Sequence, residues 1–176
     1  MGETDMTQTE NTLGAIALPA ILAATTLSGS MVLGCMMPFV AVATIAALAM
    51  PARRGAASVA LCWLGNQVLG FGLMGFPWDG ATFAAGFSLL VSSLIAFVTA
   101  RAVAGRSANP VLAFLAAFAA FELSLFAYAL PFGDPALFSP RIVGLIVLND
   151  ALWFAGLWLG WQVLARIPAL AARKAR

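Results

Sequence analysis

Two carboxylic acids, Glu122 and Asp150, interrupt runs of side chains that are otherwise almost wholly apolar. Asn66, Gln67 and Asn149 interrupt similar runs, and the two cysteines are Cys35 and Cys62. A carboxylate in mid-bilayer costs about 2.5–3.5 kcal/mol on insertion scales, so such a residue ordinarily faces a bundle interior and serves a function. Three uses compete for these polar groups: lining a binding cavity, fastening helices to one another, or passing a proton or ion. Fastening hydrogen bonds contribute about 0.6 kcal/mol each, which does little to offset two buried acids. The balance favours a cavity.

Other chemistry is excluded by composition. The chain has no His, so no imidazole is present to ligate a metal or act as a base. Its one lysine, Lys174, lies near the C-terminus, which rules out a phosphate-binding loop ending in Lys and with it a built-in ATPase. A membrane enzyme such as an intramembrane hydrolase needs a nucleophile beside a base, and only Glu122 or Asp150 could fill that role. The net charge of +2 is too small to point to nucleic acid.

The elements that position these residues follow from hydropathy. Of 176 residues, 62% are hydrophobic and 9% charged, with a mean hydropathy of +0.98. Soluble domains carry about 25% charged residues, so an all-α integral membrane protein is expected. Six transmembrane helices of roughly 20 residues would use about 120 residues. The apolar runs predict spans over 13–27, 31–50, 56–76, 81–100, 111–130 and 140–164. The first is short for a crossing. Ser28 to Ser30, Pro51 to Gly55, Pro77 to Gly80, Arg101 to Pro110 and Pro131 to Ser139 are the breaks, rich in Pro, Gly and polar or charged residues. Residues 1–12 form a polar tail, 13–165 one six-helix domain and 166–176 a basic tail.

Six spans put both termini on one side. Arg53, Arg54, Arg101, Arg106, Arg166, Arg173, Lys174 and Arg176 fall on that side, against Arg141 alone on the other. The positive-inside rule makes it the cytoplasmic face. The acidic N-terminus, with Glu3, Asp5 and Glu10 and no Lys or Arg before Arg53, does not read as an export signal. Small residues one turn apart at Ala20/Ala24, Ala43/Ala47 and Ala113/Ala117 allow close helix packing. Only the first pair is expected to face outward, where another subunit could dock.

Depth follows from ~1.5 Å of rise per residue: Glu122 lies about 12 Å and Asp150 about 15 Å below the outer surface. Cys35 lies about 6 Å below that surface and Cys62 about 21 Å, nearer the cytoplasm. Buried cysteines are commonly small hydrophobes. A thiolate at the outer rim can also hold a soft metal centre. The outward loops around Phe76, Trp78 and Asp79 and around Phe132, Asp134 and Phe138 combine aromatics with Pro and an acid. Such residues anchor at interfaces and equally suit capping a large, flat, partly apolar ligand.

Gly34-Cys35-Met36-Met37-Pro38-Phe39 and Cys62-Trp63-Leu64-Gly65-Asn66-Gln67, with Gly70-Phe71-Gly72 and Phe76-Pro77-Trp78-Asp79-Gly80, resemble the BtuM-type cobalamin transporters. These belong among the S-component-like membrane subunits of energy-coupling-factor (ECF) vitamin transporters. The resemblance implies an S-component-like bundle in a bacterial inner membrane, with cobalamin as the transported ligand bound from the outer side. It implies that Cys35 or Cys62 is the axial cobalt ligand, Cys35 being favoured by depth. Asn66, Gln67, Phe76, Trp78, Glu122 and Asp150 would complete the site. It further implies thiol-assisted removal of the upper cobalt ligand, and a separate coupling subunit with ATPases docking through Ala20 and Ala24. The alternative is a transporter of this architecture for another vitamin or a small cation; a purely structural or assembly factor is a further reading.

Overall fold

A computed structural model describes Ala20, Ala24, residues 37–164 and Arg166. Cys35, both predicted tails apart from Arg166, and nearly all of the first predicted span lie outside the described residues. The elements are α1 (Phe39–Ala49), α2 (Ala52–Gly72), α3 (Gly80–Ser107), α4 (Pro110–Phe132), a 3-10 turn (Pro135–Phe138) and α5 (Pro140–Leu164). No strand occurs among the described residues. Helices α3, α4 and α5 are each long and apolar enough to cross a membrane, and α1 is a shorter apolar helix.

Local sequence explains most helix ends. The Asp79 carboxylate accepts the Thr82 N–H at 2.8 Å and starts α3. Asn109 Oδ1 accepts from the Val111 and Leu112 N–H groups at 3.0 and 3.1 Å, with Pro110 at the first helical position of α4. These side chains answer N–H groups that have no partner within their own helix. Ala108, left-handed at φ 51°, ends α3.

Several predicted boundaries differ from the structure: the third span ends at Gly72 rather than Phe76, and the fifth continues through Pro131 to Phe132. The 31–50 span is helical, within its described part, only from Phe39; Met37 and Pro38 before it are buried and non-helical. Pro38 supplies no N–H and fixes its own φ, so it sits where a helix begins. The third span begins at Ala52 rather than Ala56, placing Arg53, Arg54 and Gly55 in the first turn of α2. Pro51 opens that helix, and the link from α1 is only Met50 and Pro51. The fourth span continues past Arg101 to Ser107, because a long, exposed cationic side chain can reach a polar partner without interrupting the helix.

Helix α1 is the centre of the molecule. Every residue from Phe39 to Ala47 is buried, and the helix packs against all four others. At 11 residues it spans about 16 Å, roughly half a bilayer core. Close approach depends on small residues. Ala43, Ala113 and Ala117 are fully buried, as is Ala47 nearly so, whereas Ala20 and Ala24 are exposed. A Cβ on Gly55 would meet the Phe97 ring at 2.6 Å and Ala46 O at 3.0 Å, so a larger residue there would have to displace the Phe97 ring and crowd α1.

Candidate functional site

A helix that starts inside a protein exposes backbone N–H groups with no partner. The start of α1 has no capping side chain of its own, since Pro38 occupies the cap position. Asp150 of α5 takes that role from another helix. Its Oδ1 accepts the Ala41 N–H at 2.9 Å, and the Val40 N–H also donates to the carboxyl. The side chain is 2% exposed. At the far end of α1, Arg101 Nη1 donates to Met50 O at 3.0 Å and to Ala47 O at 3.3 Å. A negative group thus meets the positive end of the helix dipole and a cation meets the negative end.

Glu122 lies on α4 near the same start. Its neighbour Phe121 stacks on Phe39, the first residue of α1, with ring centroids 6.4 Å apart. The carboxyls of Glu122 and Asp150 are close enough to act on each other electrostatically. Glu122 is 9% exposed, and neither carboxyl oxygen has a hydrogen-bond partner among the described residues. Of the two acids nominated by sequence, one is therefore committed to a helix end and the other is not.

The remaining nominated residues lie elsewhere. Gln67 packs its side chain against Gly86 of α3, beside Trp63, whose indole N–H donates to Gly86 O at 2.6 Å. Asn66 is half-buried on α2. Phe76 and Trp78 join Phe71 and Phe83 in an aromatic cluster where α2 meets α3. Trp78 is 75% exposed. Phe138 instead sits edge-on to Phe126, so the two loops form separate clusters. Cys62 is 1% exposed in the α1–α2 core, and a macrocycle could reach its sulfur only if those helices parted. Cys35 lies outside the described residues.

No family model, curated protein or solved structure matches this chain.

A cleft of about 420 Å³ opens between α3 and α4, walled by Phe87, Ser88, Val91, Ser92, Ser124 and Tyr128 among others. Its walls are mostly apolar, and none of the described residues nominated by sequence lines it. Ser88 and Ser124 donate their hydroxyl protons to carbonyls of their own helices, Ala85 O and Phe121 O. They can offer the cleft only lone pairs. Among the described residues no group of three or more Cys, Asp or Glu gathers to hold a metal ion.

Sequence reasoning missed two positioning residues, Arg101 and Trp63. Each carried a signal: a cation within helix reach of a buried carbonyl end, and an indole N–H that needs an acceptor in an apolar setting.

Proposed function

We propose that this protein is the substrate-binding membrane subunit of a corrinoid uptake system, a six-span bundle with both termini in the cytoplasm of a bacterial cell. The observation that carries the reading is the buried start of α1. Non-helical backbone at membrane depth is tolerated where it is enclosed by protein or lines a cavity, and interrupted helices with charged partners are where membrane transporters hold their solutes. Met37 and Pro38 are such backbone, and Asp150 and Glu122 attend the helix that follows. In sequence, Cys35 stands two residues before Met37.

Resemblance to the BtuM-type transporters narrows the solute to cobalamin. Four corrin nitrogens surround the cobalt, so one protein donor suffices, and a thiolate suits that soft centre. Cys35 is the first candidate and Cys62 the second. Energy comes from a separate ECF-type coupling subunit with its ATPases, for which the exposed Ala20/Ala24 pair is the docking face. The test is to purify the protein from cobalamin-fed cells and measure cobalt and the absorption spectrum. Stoichiometric cobalt, with a spectrum altered by Cys35→Ser or Cys62→Ser, supports the reading. A colourless, cobalt-free protein overturns it.

A second reading, a transporter for a smaller vitamin, is favoured by the α3–α4 cleft. Its 420 Å³ is in the range of small-molecule sites and far below what a corrinoid fills. Loss of binding of such a vitamin in Ser92→Phe would select it over the first.

A further inference from the structure

The charge around the start of α1 does not balance. Asp150 is answered by the Ala41 and Val40 N–H groups and by a helix dipole equivalent to about half a positive charge. Glu122 has no such answer among the described residues. Both its oxygens are sealed and without a donor among the described residues. Helix α1 contributes no ionisable side chain, and α5 contributes Asp150, of the same sign. Arg101 of α3 is held by carbonyls at the opposite end of α1, about 16 Å away along the helix; α3 carries Arg106 in its last turn, and α4 itself carries Tyr128. Arg141 is exposed at the start of α5, well over a turn from Asp150.

An uncompensated carboxylate inside a protein is penalised by desolvation, and an adjacent positive charge offsets part of that penalty. We propose that Glu122 is the seat of a single exchangeable monovalent cation, an alkali ion or a proton, held where α1, α4 and α5 meet. A divalent ion is a poor fit. Asp150 is already engaged by the N–H groups of α1, which leaves one unanswered negative charge that a divalent ion would overbalance, and no third acid joins the pair among the described residues. The inference goes beyond corrinoid binding and does not depend on it: the cation would neutralise a buried charge beside the start of α1.

The experiment uses the full chain in lipid nanodiscs and dicyclohexylcarbodiimide. The carboxyl O–H adds across one C=N bond of the reagent to give an O-acylisourea. Acyl migration to nitrogen then leaves a stable N-acylurea, with all atoms of the reagent retained. Peptide mass spectrometry is expected to find that adduct on Glu122 and none on Asp150, and Glu122→Gln is expected to lose it while eluting as a helical, monodisperse protein. Should Glu122→Gln fail to fold, Glu122→Asp keeps the test alive by retaining the label.

Suppression of the label by sodium or potassium chloride, but not by choline chloride, assigns the site to an alkali ion. Suppression by rising pH alone assigns it to the proton. Either supports the inference. No label on Glu122 at any pH between acid and neutral, or a label indifferent to both salt and pH, overturns it. A cobalt-free preparation that labels as expected upholds the cation while removing the corrinoid reading, so the two fail separately.

Discussion

Asp150 and Glu122 look alike in the sequence and differ in the fold. Each is a lone acid near the middle of a long apolar helix, and each is buried near the start of α1. Asp150 meets a row of unsatisfied N–H groups and becomes the cap that Pro38 cannot provide. Glu122 meets no donor among the described residues. The difference teaches that the expense of a buried acid is decided by what it faces, not by how deep it lies. A satisfied acid explains itself structurally, and an unsatisfied one asks for a ligand.

The comparison breaks first at Asp150. Replacing it with Ala leaves the Ala41 and Val40 N–H groups buried without an acceptor, and hydrogen bonds to a charged group contribute about 1.5–3 kcal/mol. Asp150→Ala is expected to lose about 3 kcal/mol in a detergent unfolding measurement, and Asp150→Asn, which keeps an acceptor oxygen, much less. Equal losses in the two variants would show that capping is not its role. Arg101→Ala tests the other end of α1. The Met50 and Ala47 carbonyls lose their donor, but Arg101 is exposed and water can substitute in part. The expected loss is about 1 kcal/mol, read on the same unfolding curve.

How much of this was legible beforehand depends on where the partner lies. Helices α3, α4 and α5 were readable because long apolar runs end at Asp79, Asn109 and Pro140, residues whose chemistry starts helices locally. The start of α1 was not, because Pro38 sits within a run whose hydropathy never falls. Arg53 and Arg54 read as a stop yet occupy the first turn of α2, where exposed ends tolerate charge. Depth placed both acids mid-span, but the donor to Asp150 is 109 positions away. No local pattern encodes that pairing. For the same reason Asn66 and Gln67 joined the acids on paper, while the fold turns Gln67 toward Gly86 of α3.

Asp79 sharpens the comparison from outside the membrane-spanning segments. It makes the same kind of contact as Asp150, a carboxylate accepting a first-turn N–H, but within its own helix and in full exposure. The Thr82 N–H, and then the Thr82 hydroxyl, hold its carboxyl below the usual value of 3.8. The folded protein therefore binds this proton less tightly than the unfolded chain does. The stabilisation is complete above about pH 3.8 and is lost as the pH falls through the lower folded value. Asp79→Ala is expected to cost less than Arg101→Ala and to flatten the acid limb of the stability profile. An unchanged acid limb would show that the contact contributes nothing.

The smallest effect is expected at Glu122, and it decides whether the two acids differ at all. Glu122→Gln keeps the volume and the acceptor oxygen and removes the charge. No hydrogen bond among the described residues is removed, so any loss of stability should stay well below that of Asp150→Ala. The added amide donors must find acceptors in a buried site, which works against any gain. A loss approaching that of Asp150→Ala would mean that Glu122 fastens the helices through a contact beyond the described residues. Both acids would then be structural, and the unbalanced charge on which a bound cation rests would vanish with the difference between them.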